Sequence, residues 1–299
     1  MTPLRTAAAI AMLLIAGQVR APARHSEGPP ELAGGLFAYD VRSTDTLASV
    51  GARFGVDAAT VAAGNGLPPN ARLSPGQTLQ IDNRHIVPDA VDAGALLVNV
   101  PQRMLFLGRE RAMVEMFPIA VGKANWRTPL GPFQVRTMER NPTWDVPESI
   151  LDEARRAGRT LPLKVPPGPD NPLGKFWIGL TLPGVGIHGT NVPSSIFKAA
   201  THGCMRMHPD DIARLFELVA VGTPGRTIYL PVLLAVHEGR VYVEAHRDVY
   251  RRAAGDPLAA IRALAEERGV AERIDWGRAE AVIEARQGIA RDVTREPEP

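Results

Sequence analysis

Three kinds of apolar spacing follow one another along the chain. Between residues 39 and 81, Tyr39-Asp40-Val41 alternates as a strand does. Asp45-Thr46 can cap a helix that runs from Leu47 through Phe54 and stops at Gly55. A second helix fits Asp57 to Ala63, and Gly64 to Leu67 leads out of it. Pro75-Gly76 then marks a turn before an alternating strand that ends at Ile81. The result is a strand–helix–helix–strand unit of about 45 residues. From Ala95 the period is that of β-structure: Leu96–Val100, Met104–Leu107 and Ala112–Val121 read as strands, with Gly108 to Arg111 as a turn. Thr128 to Pro132 interrupts the pattern and Phe133–Val135 resumes it. Residues 141–171 are irregular apart from a helix near Ser149–Ala157. Trp177–Leu182, Val185–His188 and Thr227–Leu230 are strand-like, and Leu234–Val236 with Val241–Ala245 form a hairpin around Glu238-Gly239. Pro209 to Ala220 is a helix, with proline at its first position, two acids in the first turn and Gly222 beyond its end. In the tail, 255–291, Leu258, Ile261 and Leu264, then Ala279, Val282 and Ile283, recur at helical spacing.

Composition agrees with a turn-rich β or mixed protein and not a helical bundle: 28 glycines and 27 prolines accompany only 5 % aromatic residues, while 45 % apolar residues suffice for a filled core. The first 23 residues read as an export signal. Arg5 precedes a 12-residue apolar stretch, Thr6–Gly17, too short to span a bilayer, and Ala21-Pro22-Ala23 offers a small-residue cleavage site. Residues 24–36 are polar and Gly/Pro-rich, as in a linker, and residues 83–94 read as a second short connection. Without Arg5 and Arg20 the remaining chain balances its charges, and no Lys/Arg run marks a nucleic-acid footprint. No apolar segment of membrane length follows the signal.

An exported chain normally pairs its cysteines, and this one has a single cysteine. That thiol, Cys204, is therefore a candidate reactive group. It sits in Thr201-His202-Gly203-Cys204-Met205-Arg206, and a second motif, Gly186-Ile187-His188-Gly189-Thr190-Asn191, precedes it. A thiol nucleophile needs a lowered pKa or an adjacent base. It also needs backbone N–H groups facing the developing oxyanion. His188, at a strand end, can be aimed as the base. Gly203 lets the backbone approach a substrate, and the N–H groups of Gly203 and Cys204 are natural donors. Arg206, two residues beyond the thiol, can hold a carboxylate.

Two families are resembled. Tyr39-x-Val41, Asp45-Thr46-Leu47, Phe54-Gly55-Val56, Asn65-Gly66-Leu67 and Leu73-x-Pro75-Gly76-Gln77 resemble a LysM domain, which binds glycans containing N-acetylglucosamine; Thr44 stands where glycine is common. His188-Gly189, then Thr201-His202-Gly203-Cys204-Met205-Arg206, is similar to the signature of the L,D-transpeptidase (YkuD-type) family. Flanking pieces such as Asn141-Pro142-Thr143-Trp144 and Gly189-Thr190-Asn191 match its Gram-negative periplasmic subgroup. The resemblance implies a β-sandwich-like catalytic domain over 95–232 behind a LysM domain over 37–82; the spacing beyond it reads as a hairpin and helical extension over 233–299. It implies that Cys204 attacks a peptidoglycan stem peptide between meso-diaminopimelate and D-Ala. His188 would take the thiol proton, oriented by the Gly189 carbonyl, and His202, Gly203 and Cys204 would form the oxyanion environment. Arg206, Thr201, Asn191 and Trp144 would contact substrate. The acyl group would pass to an amine: a second stem, a lysine of an outer-membrane lipoprotein, or a free amino acid. Water as acceptor would make the enzyme an L,D-carboxypeptidase. The location implied is the periplasm, with carbapenems as inhibitors and no cofactor or metal.

Two other classes make different demands on the sequence. A zinc hydrolase would need three of His188, His202, Cys204 and His208 to converge, and His-Glu-x-x-His is absent from the sequence. A non-catalytic wall-binding protein would not need an intact His-Gly and Thr-His-Gly-Cys pair. Residues His85, His237 and His246 receive no role from the sequence.

Overall fold

The computed structural model describes residues 32–88, 91–109, 114–253 and 255–296. The expected export signal, and residues 24–31 of the expected linker, lie outside them. The linker is shorter than its composition suggests, because β1 (Leu32–Ala33) already pairs with β4 (His85–Ile86). Between these come β2 (Leu36–Asp40), α1 (Leu47–Phe54), α2 (Ala58–Gly64) and β3 (Thr78–Asp82), with β2 and β3 antiparallel. Local chemistry sets the helix ends. The Thr46 side chain accepts from Ser49 N while Ser49 Oγ accepts from Thr46 N, and Gly55 closes α1 at φ 74°. Such a cap contributes about 1 kcal/mol. Val41, Leu47, Val50, Val61, Leu79 and Ile81 fill this module's own core.

The central unit is the expected mainly β domain, and its two layers are joined at both edges. In chain order it contains β5 (Leu96–Asn99), β6 (Met104–Gly108), β7 (Val114–Gly122) and β8 (Gly131–Arg140), then an excursion with β9 (Trp144–Asp145), α3 (Glu148–Arg156) and β10 (Lys164–Val165). There follow β11 (Phe176–Leu180), β12 (Gly186–His188), β13 (Ala199–Thr201), β14 (Met205–Met207), α4 (Pro209–Leu218) and β15 (Pro224–Ile228). The ladder runs β7-β14-β12-β11-β8-β15-β5-β6, and β6 pairs back onto β7, so the strands close a ring; β13 adds outside it on β7. Closure removes sheet edges. Period-2 alternation then sorts the side chains. Leu96, Leu105, Ile119, Val135, Ile178, Ile187, Met205 and Met207 point to one enclosed core, against Ile212 and Leu215 of α4. Leu97, Met104 and Phe106 point outward, where Ala52 of α1 and Phe197 cover them.

The end of the chain is a third packed layer and is not helical throughout. The hairpin of β16 (Val232–His237) and β17 (Arg240–Ala245) takes a third strand, β18 (Arg291–Asp292). Two helices, α5 (Pro257–Glu267) and α6 (Trp276–Ala285), lie on that sheet through Ile261, Ala265, Ala279 and Ile283. Within this layer Glu244 is wholly buried. Its carboxylate meets His85 Nδ1 at 2.8 Å, His246 Nε2 at 2.8 Å, Gln102 Nε2 at 3.0 Å and Ile86 N at 2.5 Å. His85 also reaches the Gly55 carbonyl at 2.9 Å, so the cluster touches all three units.

Candidate active site

His188 and Arg206 are partners across the parallel pair β12–β14, as Ile187 is with Met205. Ile187 and Met205 enter the core, so His188 and Arg206 share the outer face. Continuing the register places Cys204, at the mouth of β14, opposite Gly186. Trp177, the Cα partner of His188 on β11, stacks on its imidazole with centroids 5.9 Å apart, and a Cβ at Gly186 would lie 2.4 Å from the same indole. The indole is thus a floor under the His188 ring that only glycine at 186 permits.

The His188 ring is buried. Its Nδ1–H donates to the Gly189 carbonyl at 2.7 Å, which fixes the tautomer and leaves the Nε2 lone pair without a hydrogen bond among the described residues. Burial first, and the Arg206 charge second, lower its pKa from 6.5 to about 4, against the opposing Gly189 bond, so the ring is a neutral base at pH 7. Burial raises the Cys204 thiol above its ordinary value, although Gly186 and Arg206 pull it down. The resting pair is therefore thiol and imidazole, not thiolate and imidazolium. At rest the thiol donates to the Gly184 carbonyl at 3.7 Å. Arg206 Nη1 donates to Ser195 Oγ at 2.9 Å, while its buried Nε has no partner among the described residues.

The backbone around the thiol is held from several sides. Thr201 is buried; its Oγ1 donates to the Cys204 carbonyl at 2.5 Å and accepts from Gly203 N at 3.2 Å. Gly203, at φ 106°, also accepts on its carbonyl from Thr128 Oγ1 at 2.9 Å. The Gly203 N–H is thus engaged, whereas the Cys204 N–H makes no hydrogen bond among the described residues. His202 points away from this backbone. Its Nε2 meets Glu153 Oε2 of α3 at 2.5 Å, and its ring lies edge-on to Trp126 at 5.0 Å. Lys123 Nζ binds the other Glu153 oxygen at 2.8 Å. The Lys123 and His202 hydrogen bonds hold the Glu153 carboxyl at about 2. Asn191 is exposed, and Trp144 is half-buried on β9, opposite Val165. No group of three or more metal-ligating side chains occurs among the described residues.

Residues 93–233 match the family model of the YkuD L,D-transpeptidase catalytic domain, and residues 39–82 match that of the LysM domain. The chain is 32 % identical over 281 residues to the probable L,D-transpeptidase ErfK/SrfK of Escherichia coli strain K12, which covers 87 % of this chain and 88 % of that protein. This chain belongs to the L,D-transpeptidase family. The ErfK/SrfK protein of Salmonella typhimurium strain LT2 is 33 % identical over 225 residues, 73 % of this chain and 71 % of that one. The probable L,D-transpeptidase YbiS of Escherichia coli strain K12 is 35 % identical over 175 residues, 57 % of this chain and 56 % of the relative.

Several residues of this L,D-transpeptidase family member that shape the site gave no sequence signal. Trp177 lies in an apolar run, and nothing local shows that its indole faces His188. Glu153 sits on a charged helix 49 residues from His202. Ser195 is joined to Arg206 only by the fold. Gly186, the first residue of the strand that pairs with Trp177's, carried the one usable hint, since a glycine between apolar residues marks a close approach.

Proposed function

We propose that this chain is a peptidoglycan L,D-transpeptidase of the periplasm, with Cys204 as nucleophile and His188 as general base. One observation carries the assignment: a neutral His188, its Nδ1–H pinned to Gly189, presents a free Nε2 on the strand face shared with Cys204 and Arg206. The thiol leaves the Gly184 carbonyl and gives its proton to Nε2 as Sγ attacks the carbonyl between meso-diaminopimelate and D-Ala. The C–N bond then breaks, and the imidazolium returns the proton to the departing amine. Because the thiol pKa is raised, proton transfer accompanies attack instead of preceding it. The incoming amine reverses the sequence and receives the acyl group.

The oxyanion is met by the Cys204 N–H, which is unengaged, whereas the Gly203 N–H would have to leave Thr201. Thr201 and Gly203 thus position the nucleophile, and His202 ties α3 to the Cys204 segment through Glu153. Arg206, with its unpartnered Nε, binds a stem-peptide carboxylate. Asn191 and Trp144 contact the remainder of the stem. The LysM domain holds glycan strands, and the acceptor is a second stem, a lipoprotein lysine or a free amino acid.

The test is mass spectrometry of muropeptides bearing diaminopimelate tetrapeptide stems, incubated with wild type and with Cys204→Ala. Loss of D-Ala with a crosslinked dimer, absent in the variant, is the expected result. Tripeptide without dimer would assign hydrolysis, and unchanged substrate in both would overturn the reading.

A further inference from the structure

Tyr250 lies seventeen residues beyond the matched catalytic domain, in the turn that follows β17. Its side chain is 1 % exposed and belongs to the core enclosed by the strand ring. Its hydroxyl donates to the Gly122 carbonyl at 2.7 Å and accepts from Thr128 N at 3.0 Å. Thr128 Oγ1, also buried, accepts from Gly122 N at 2.9 Å and donates to the Gly203 carbonyl at 2.9 Å. Three of these bonds form a closed circuit, and the fourth is its outlet, to the peptide that joins Gly203 to Cys204. That peptide contains the Cys204 N–H, which makes no hydrogen bond among the described residues. Gly122 cannot be replaced within the circuit, since a Cβ there would lie 2.0 Å from the Trp126 carbonyl.

The turn that presents Tyr250 is itself fixed. Tyr229 stacks on Tyr250 at 5.5 Å, its hydroxyl accepts from Tyr250 N at 2.8 Å and donates to Asp248 Oδ1 at 2.5 Å. Asp248 also accepts from the Arg252 and Ala253 N–H groups. Burial keeps the Tyr250 phenol protonated, which the circuit requires.

We propose that Tyr250, from the C-terminal layer, is a positioning residue for acyl transfer: through Thr128 it fixes the Gly203 carbonyl and thereby aims the Cys204 N–H at the oxyanion. The inference rests on the acyl-transfer function proposed above. Tyr250 touches neither substrate nor the thiol, so its removal affects steps that build an oxyanion and spares those that do not. Two reagents separate these steps on the full-length protein. A carbapenem acylates Sγ through a tetrahedral oxyanion, whereas iodoacetamide alkylates it by direct displacement. Tyr250→Phe is expected to slow carbapenem acylation roughly tenfold, less than the 10²–10³ that follows loss of an oxyanion donor itself. Alkylation is expected to stay within about twofold of wild type. Thr128→Val should reproduce that split and Thr128→Ser, which keeps the hydroxyl, should recover most of the acylation rate; this pair decides the matter if Tyr250→Phe does not fold. Equal acylation by wild type and variant would overturn the proposal, as would a parallel fall with both reagents, which marks general loosening. A wild-type protein alkylated by iodoacetamide but inert to the carbapenem would instead remove the acyl-transfer reading on which the proposal stands.

Discussion

Two buried polar clusters in this molecule use the same kinds of side chain to opposite ends. At the junction of the three units, Glu244 uses both oxygens, and His85, Gln102 and the Ile86 N–H converge on it. On the outer face of β12 and β14, His188 Nε2, Arg206 Nε and the Cys204 N–H have no partner among the described residues. The Glu244 carboxylate is satisfied on both oxygens, with only His246 Nδ1 beside it unpartnered among the described residues, and a charge so paired contributes to stability. An unsatisfied cluster holds capacity open for a ligand. The electrostatics follow the same division. Burial would push the Glu244 carboxyl up, but the His85 and His246 rings beside it prevail and keep it ionised. At the active face burial prevails instead, and both His188 and Cys204 are neutral at rest.

The sharpest way to break this contrast is to remove the base. His188→Ala should lower the rate of acyl-enzyme formation about 10³-fold, while unfolding free energy falls by only about 1–2 kcal/mol, the cost of the Gly189 bond and the Trp177 contact. Stopped-flow acylation and equilibrium unfolding on the same sample give both numbers. The complementary change is Glu244→Gln, which leaves the histidine rings without their carboxylate. It should cost about 3 kcal/mol of unfolding free energy in urea and leave acylation per folded molecule unaltered. A rate loss equal to that of His188→Ala would erase the distinction between the clusters. The smallest effects come with pH. His188 titrates at about 4, so acylation should persist down to about pH 5 and fail below. Iodoacetamide alkylation should still be rising above pH 9, because the thiol is raised. Stability should move first. His246 is lowered by burial, so the unfolded chain binds its proton before the folded one does. Unfolding free energy therefore falls as pH drops through the ordinary histidine range, and Glu244 adds to the loss below the ordinary carboxylate range. Chemical denaturation at pH 7 and pH 5 checks the sign.

What the sequence disclosed follows from how far each signal reaches along the chain. The first module was legible because its ends are written locally: Thr46 caps α1 three residues from Ser49, and Gly55 stops it. The site motifs were legible because His188-Gly189 and Thr201–Arg206 are contiguous. Strands β13 and β14 were missed. Each has three residues, too few for a period, and each exists through partners on β7 and β12. The Glu244 cluster was missed for a related reason: His85 and Glu244 are 159 residues apart, and nothing near either announces the other. Closure of the ring by β6 on β7 was equally silent, since alternation fixes which face a residue takes and not which strand lies beside it.

The final strand carries a consequence for the order in which the molecule assembles. Ala290 N binds the Arg84 carbonyl, Thr60 Oγ1 binds the Gln287 carbonyl, and Arg291 pairs with Asp82, while Ile289 completes the core of the first module. These contacts span more than 200 residues. A ribosome or a secretion channel releases the chain from its N-terminus, so the first module and the strand ring can form while this clasp is still missing. Bringing together ends so distant in sequence is slow. A chain shortened by its final dozen residues would lose this clasp and β18, while Ala52 of α1 would still pack against the strand ring.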